Sequence, residues 1–168
     1  MMHPRRRARQ RGNAMIEAGL IIFVMMAMFM AIIDYSIAFF IQATFRHAAR
    51  EGTRFAITNR TIGGGCHVDS IKSVVRQNAM GFLRTTDLQK IKVQYFNPAT
   101  QQAIVNAGAN NGGNIVMVTI SPCELQNGSD CFTWNWVAPF MRQDTPMRVR
   151  ARSADVMEAP QLGVLPCV

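Results

Sequence analysis

Histidine and acidic side chains are scarce in this sequence, and their scarcity limits the chemistry that it can support. The 168 residues include only 3 histidines and 10 aspartate or glutamate residues. The histidines, His3, His47 and His67, are widely separated along the chain. No Ser-His-Asp arrangement is therefore indicated, and we expect that the protein is not an enzyme.

Motifs that bind metals or phosphates are incomplete. The Cys66-His67 pair has no second Cys or His pair at the close spacing that zinc sites usually show. The glycine run from Gly63 to Gly65 is followed by no Gly-Lys-Ser/Thr motif and preceded by no predicted strand, so a phosphate-binding loop is a weak alternative. We expect neither a bound metal nor a cofactor.

Charged residues are missing from Ala18 to Ile33, and Asp34 is the only one between Ala18 and Ile41. A helix rises ~1.5 Å per residue, so residues 18–41 cover roughly 36 Å, enough for a tilted crossing of a ~30 Å hydrocarbon layer. A cleaved signal peptide has a similar pattern, but bulky Met and Phe side chains occupy the places where its small-x-small cleavage site would fall. The sequence favours a retained single membrane span.

Basic residues are concentrated before this span. The formal net charge of +8 ordinarily suggests nucleic acid as a partner. However, a cluster of arginines immediately precedes the apolar run: Arg5, Arg6, Arg7, Arg9 and Arg11. Such a cluster is typical of a positive-inside topology signal, and a solvated DNA-binding arm is the alternative. Three arginines, Arg46, Arg50 and Arg54, also follow the span, so a cytoplasmic N-terminus depends on support from other features as well. We expect contact with inner-membrane lipids and no specific nucleic acid partner.

Small and apolar residues continue at helical spacing beyond the span. Those that recur at intervals of three and four are Phe45, Ala48, Ala49, Gly52, Phe55 and Ala56. Arg46, Arg50, Glu51 and Arg54 occupy other faces. This periodicity predicts one long helix over residues 13–60, which is amphipathic after it leaves the membrane.

Cysteine is absent before position 66, and all four cysteines follow the predicted span: Cys66, Cys123, Cys131 and Cys167. This placement is expected if the later part of the chain is oxidised outside the cytoplasm. Four cysteines allow three pairings, which the sequence cannot distinguish. We favour Cys123 with Cys131, because they close a short polar loop with an Asn127-Gly128 turn signal, which leaves Cys66 with Cys167.

The rest of the chain has the pattern of a small α+β domain. The glycines should end the long helix, so residues 61–66 are a predicted hinge and residues 67–168 a predicted head. Asp69 is expected to cap a second helix that stops near Gly81. Strand patterns follow in KIKVQYF, QAIVNA, NIVMVTIS, FTWNWVAPFM and MRVRARSADVM. We therefore predict one helix packed on an antiparallel sheet.

Two features of these strands allow a binding role as well as a structural one. In MRVRARSADVM the residues Met147, Val149 and Ala151 are expected to face inwards, and Arg148, Arg150 and Arg152 outwards. The arginine row either forms a solvated face or binds anions. The tryptophans of FTWNWVAPFM are expected in the core, whereas an exposed one would indicate a contact surface.

The junction G-N-A-M-I-E, Gly12 to Glu17, resembles the processing site of a type IV prepilin. A basic leader ends in glycine, and glutamate follows at the fifth position after it. The longer segments RGNAMIEAGLIIF and FRHAAREGTRFA, and loosely PMRVRARSADVMEAP, are similar to TadE-like proteins, pilin-like subunits of tight-adherence (Tad) pilus systems. Ala18 stands where Tad pilins often carry tyrosine, and Asn13 differs from the hydrophobic first residue of many other pilins.

The resemblance implies that residues 1–12 are a cytoplasmic leader, which a prepilin peptidase cleaves between Gly12 and Asn13. It implies that Glu17 pairs with the free α-amine of Asn13, in its own or a neighbouring subunit. A cationic partner is a physical reason to keep a carboxylate where it costs ~2.5 to 3.5 kcal/mol unpaired, although at the headgroup edge the cost is small. The implied partners are the peptidase, major and minor pilins and the pilus assembly platform.

The function expected from this resemblance is that of a minor pilin or pseudopilin in pilus assembly, initiation or tip capping, and hence in adhesion. A type II secretion pseudopilin is the main alternative. It usually has phenylalanine as its first mature residue and often a calcium-binding head, and neither is visible in this sequence. A membrane-anchored extracellular binding domain with an uncleaved anchor is an alternative of another class.

Overall fold

The structure is a computed structural model that describes residues 5–105, 108–125, 128–137 and 146–158. The chain divides into two compact units. One comprises residues 1–37 with 135–146, and the other comprises residues 38–134 with 147–168.

The first element is a single helix, α1, over Arg5–Ile57. It corresponds to the helix predicted over 13–60, but it begins eight residues earlier and ends three residues sooner. Its apolar residues from Met15 to Ile33 are largely exposed. Within the second unit, by contrast, Ile41, Phe45, Ala48, Ala49 and Ala56 are fully buried. The predicted amphipathic face beyond the span is therefore confirmed.

The end of α1 is set by asparagine before the glycines begin. Asn59 adopts a left-handed backbone with φ of 50°. Its buried side-chain amide donates to the Asn110 carbonyl at 3.2 Å, which fixes it in this conformation. Gly63 and Gly64 also have positive φ, of 64° and 71°, but they lie beyond the helix end. The helix stops because Asn59 is held in a turn, and the glycine run shapes the following loop.

The second helix, α2, spans His67–Asn78. The prediction that Asp69 caps it is wrong, because Cys66 occupies the N-cap position with an extended backbone. Asp69 lies instead in the first turn, where a carboxylate interacts favourably with the positive end of the helix dipole. The buried face of α2 carries His67, Ser70, Ile71 and Val75. A 3-10 helix over Thr85–Lys90 follows.

The second unit contains the predicted antiparallel sheet. Its strands are β1 (Ile91–Phe96), β2 (Ala103–Ile104), β3 (Ile115–Ile120) and β6 (Ala151–Val156), in the order β2-β1-β3-β6. β3 is central, as its apolar sequence predicted, and pairs Val118 with Val93 of β1 and Ser153 of β6. The short β2 pairs with only the last two residues of β1. The fold is α+β, with a helix packed on an antiparallel sheet.

The segment predicted as one strand in MRVRARSADVM forms two. β5 (Met147–Arg148) pairs with β4 (Thr133–Trp134) in a separate two-stranded sheet, and β6 begins at Ala151. Between them the Val149 N–H donates to the Phe132 carbonyl at 3.3 Å, so the chain leaves one sheet before it enters the other. The predicted alternation is still correct, because Val149 and Ala151 are buried and the three arginines are exposed.

Three aromatic rings fill part of the core of the second unit. Phe45 of α1 lies edge-to-face with Phe132, with ring centroids 4.9 Å apart. Phe82 lies 6.3 Å from the ring of Phe45 and 6.4 Å from that of Phe132, again edge-to-face. Edge-to-face pairs add roughly 0.5 to 1.5 kcal/mol beyond the apolar area that they bury. This cluster joins the post-span part of α1 to the head.

Candidate functional site

The predicted processing positions, Gly12 and Asn13, both lie within α1, which is already helical at Arg5. A peptidase that binds an extended backbone therefore has to unwind this junction locally. Glycine makes such unwinding easier, because it is about 1 kcal/mol less favourable than alanine inside a helix. The structure thus gives a physical use for glycine at this position, while cleavage itself stays a prediction.

Glu17 is exposed on the same helix, one turn after Asn13. Its neighbours Met15, Ile16 and Leu20 are 81%, 73% and 66% exposed. In the part of the chain that the structure describes, no side chain forms an ion pair with Glu17. The carboxylate therefore lies on an otherwise apolar surface, and any partner comes from outside the described residues.

α1 is long and apolar enough to cross a membrane. The most apolar 18-residue stretch of Asn13–Ile57 has a mean hydropathy of 2.5, and none of its residues is buried. Exposing apolar surface to water costs roughly 25 cal/mol per Å² of free energy. The same side chains are stable in lipid or packed against other apolar helices. The N-terminal part of α1 is thus a candidate membrane anchor and helix-packing surface.

Arginines follow this surface along α1. Arg46, Arg50 and Arg54 are all exposed and are spaced by four residues, so they form one stripe along the helix. On the opposite side, Ala48, Ala49 and Gly52 are buried in the second unit. The segment FRHAAREGTRFA is therefore a two-faced element, with small residues against the head and arginines towards solvent.

The sequence predicts Asp34 near the far interface of the span or facing a partner, and the structure shows what its side chain contacts. Its side chain is fully buried, and the backbone N–H of Val137 donates to its Oδ1 at 2.9 Å. The adjacent Tyr35 ring lies edge-to-face with Trp136, with centroids 5.7 Å apart. These contacts belong to the first unit and join α1 to a segment more than one hundred residues away.

The disulfide between Cys123 and Cys131 is confirmed, with Cα atoms 4.7 Å apart. Cys66 is also disulfide-bonded, and its predicted partner Cys167 lies outside the described residues. Asp130 supports the loop from inside, because its Oδ2 accepts the N–H groups of Glu124 at 2.6 Å and Leu125 at 3.2 Å. Burial works to raise the pKa of Asp130, but these bonds and nearby Lys92 lower it below its usual value.

A second buried polar pair lies under α2. Nδ1 of His67 is 3.0 Å from the Tyr95 hydroxyl, and both side chains are buried. Burial lowers the pKa of His67, and the Ala56 carbonyl acts weakly in the opposite direction. Burial likewise raises the pKa of Tyr95. Both rings are therefore neutral in the folded protein near pH 7.

Because His67 is buried and neutral, we expect the folded protein to lose stability in mild acid. Because the pKa of His67 is lower in the folded state than in the unfolded state, the unfolded state binds the proton first as pH falls below about 6.5. The free energy of unfolding should then decrease by up to about 1.4 kcal/mol per pH unit until the folded-state pKa is reached. Denaturant unfolding of the full chain in detergent at pH 7.5 and 5.5 measures this decrease.

His67→Gln is the matched control for this effect, because the amide keeps a hydrogen-bonding group near Tyr95 but does not titrate. The contribution of Asp130 does not interfere, since its pKa lies below the usual carboxylate value and outside this window. We expect the variant to lose the extra pH dependence. An identical pH dependence in both proteins would contradict the assignment to His67.

An open cleft of about 390 Å³ lies beside the short strand β2. Its walls include Val68 and Lys72 of α2, Lys92 and Tyr95 of β1, and Ile104 of β2. Lys92 is paired with Glu124, so it is not a free cation for a ligand. The cleft is mostly apolar and has no cluster of metal-ligating side chains within the described ranges.

The comparisons with known proteins address the N-terminal part of the chain. The family model "TadE-like protein" matches residues 12–54, roughly a quarter of the sequence. No curated protein and no solved structure matches the chain. The match begins at Gly12, includes Asn13 and Glu17, and ends at Arg54, so it covers most of both N-terminal segments on which the resemblance rests. The predicted resemblance is confirmed over this range.

Proposed function

We propose that this chain, whose N-terminal segment is TadE-like and associates it with Tad pilus systems, is a minor pilin or pseudopilin of such a system. In this proposal the leader of residues 1–12 is removed after Gly12, and α1 anchors the mature protein in the inner membrane. The head is extracytoplasmic. The protein acts in pilus assembly, initiation or tip capping, and its role is structural and not catalytic.

One observation carries the proposal. The family match begins at the glycine of the candidate junction and continues along a helix whose apolar side chains are exposed. Such a helix is able to lie in lipid before assembly and against neighbouring apolar helices afterwards. The proposed partners are therefore a prepilin peptidase at the junction, major and minor pilins along α1, and the pilus assembly platform at the membrane.

Topology has independent chemical support. Five arginines precede the span, and the head contains a disulfide, Cys123 with Cys131. Disulfides persist in oxidising compartments such as the periplasm, and arginine clusters favour the cytoplasmic side. Both features support an orientation with the N-terminus in the cytoplasm and the head outside it.

The test is the mature N-terminus of the protein in its own host, measured by mass spectrometry. We expect wild type to begin at Asn13, and Gly12→Leu to retain the leader, because a peptidase cleft that binds the extended backbone closely should reject a bulky side chain before the scissile bond. The uncleaved variant should accumulate in the membrane but not enter a fibre, since the α-amine of Asn13 is never released.

Gly19→Leu is the matched control, because this glycine lies on the same helix and no atom lies within 4 Å of a Cβ built there. It should be processed to Asn13 like wild type. If Gly12→Leu also begins at Asn13 and piliation is normal, the junction is not the processing site. An N-terminus at Met1 in wild type would favour a plain membrane anchor over a pilin.

The cleft between α2 and the β1–β2 edge favours a second candidate function, that of a membrane-anchored binding domain. An apolar recess with a few polar groups at its rim is the usual form of a small-ligand site. The two functions predict different N-termini, so the same mass measurement separates them. A type II secretion pseudopilin is less well supported, because the family match is to TadE-like proteins.

A further inference from the structure

The carboxylate of Asp34 lies at a depth where lipid is expected. It is sixteen residues beyond Ala18, which at ~1.5 Å per residue places it about 24 Å along a ~30 Å hydrocarbon layer. The preceding residues Ile32 and Ile33 are about half exposed, at 52% and 50%. Asp34 itself is 0% exposed. An apolar surface therefore reaches the level of Asp34, and the protein covers the acidic side chain there.

Asp34 is contacted by backbone that is not helical. The Val137 N–H donates to Asp34 Oδ1 at 2.9 Å, and residues 135–137 are in neither a helix nor a strand. In a hydrocarbon environment an unpaired carboxylate costs ~2.5 to 3.5 kcal/mol, and an unsatisfied backbone N–H costs several kcal/mol. This hydrogen bond gives a partner to the backbone N–H and to one of the two carboxylate oxygens. It therefore allows an irregular loop to lie at membrane depth.

The neighbouring side chains have the composition of a membrane interface. Tyr35 is 49% exposed and lies edge-to-face with Trp136, and Val137 is 55% exposed. Tyr and Trp are enriched where the hydrocarbon layer meets the headgroups, because their rings are apolar and their polar atoms need a wet partner. The exposed valine adds apolar surface beside them.

We propose that the segment 135–137 inserts into the outer interfacial layer of the same bilayer that α1 spans, and that Asp34 holds it there. The occupant of this surface is lipid, because the segment lies beside the exposed apolar surface of α1 and within the same compact unit. This inference rests on the proposed membrane anchor. It adds a second membrane contact, made by a loop that belongs to the C-terminal half of the chain.

The experiment uses the full chain in phosphatidylcholine vesicles with bromine on the acyl chains, either near the headgroups or near the bilayer centre. A Trp134→Phe background leaves Trp136 as the single tryptophan. We expect lipid brominated near the headgroups to quench Trp136 fluorescence about twofold more strongly, or better, than lipid brominated near the bilayer centre. Acrylamide in the water phase should quench it weakly.

Variants at Asp34 test the hydrogen bond. Asp34→Asn keeps an oxygen that accepts the Val137 N–H, so the quenching by shallow bromine should persist. Asp34→Leu removes the acceptor, and the quenching should fall while quenching by acrylamide rises. Ser36→Leu is the control for added bulk, because Ser36 is exposed and its hydroxyl bonds only within α1 to the Ile32 carbonyl.

A tryptophan at position 23, made as Phe23→Trp with both native tryptophans replaced by phenylalanine, separates the inference from its premise. If this probe is not quenched by lipid, α1 is not a membrane anchor and the proposed function fails as well. If it is quenched while Trp136 is quenched only by acrylamide, or by neither agent, the loop inference alone is overturned. Unchanged quenching in Asp34→Leu overturns the role of Asp34.

Discussion

Replacing Glu17 with alanine is expected to leave membrane insertion intact and to reduce incorporation into the pilus about tenfold or more. Glu17 lies just before the apolar run, where an unpaired carboxylate costs less than the ~2.5 to 3.5 kcal/mol of the bilayer centre. A penalty of 1.4 kcal/mol already corresponds to about tenfold in an equilibrium. In the proposed function this penalty is relieved when Glu17 meets the free α-amine of Asn13, in its own or a neighbouring subunit. Alanine has no penalty to relieve, so the variant inserts more easily but gains less from assembly.

The structure supports this prediction because Glu17 is exposed and the described residues offer it no ionic partner. The measurement compares membrane-fraction levels with the amount recovered in sheared pili. Glu17→Gln should behave like alanine, since it keeps the shape but loses the charge. Glu51→Ala is the control, because Glu51 lies on the same helix but ten residues beyond the end of the predicted span at Ile41. Normal piliation by Glu17→Ala would contradict the pairing.

The sequence predicted those elements whose pattern of apolar and polar residues repeats within the element itself. The spacing of Phe45, Ala48 and Ala49 identified the buried face of α1, because an amphipathic helix repeats its apolar positions every three or four residues. The alternation in β1 and the continuous apolar run of β3 identified two paired strands in the same way. The Cys123–Cys131 loop was found because both ends lie close in sequence.

Other features depend on contacts that leave no local signal. Nothing near Asp34 in the sequence indicates that Val137 will donate to it, since the two are 103 residues apart. The start of α2 was misplaced because Asp69 is a good capping residue type, and only the observed backbone shows that Cys66 takes that position. MRVRARSADVM alternates throughout, so the division between β5 and β6 depends on which partner strand each half meets.

The candidate assembly site is likewise only partly defined by the chain itself. Gly12, Asn13 and Glu17 could be located from the sequence, and the structure places all three on α1. In the proposed function their partners are a peptidase and a second subunit, neither of which is present in a single folded chain. The chain itself does contain the close packing that joins α1 to the head, and Gly52 lies in this packing.

Gly52→Ala is expected to destabilise the head by about 1 to 3 kcal/mol, although alanine is a better helix former by ~1 kcal/mol. A Cβ at this position would clash with Cγ2 of Val75 on α2, and it would lie 3.6 Å from Cγ1 of Val118 on β3. Gly52 is thus the point at which α1 approaches both the second helix and the sheet. The added methyl group forces these elements apart because the core has no space to accept it.

The double variant Gly52→Ala with Val75→Ala isolates this contact. Removing the valine methyl groups leaves only ordinary contacts, at 3.6 Å to Cγ1 of Val118 and 3.7 Å to the Cβ of residue 75. The double variant should therefore be more stable than the sum of the single effects by about 1 kcal/mol or more. Denaturant unfolding of the full chain in detergent gives all four free energies of the cycle. Gly19→Ala, where a Cβ meets no atom within 4 Å, is the control for helix propensity alone and should not destabilise. Additive effects of the two substitutions would show that Gly52 is kept for some reason other than its contact with Val75.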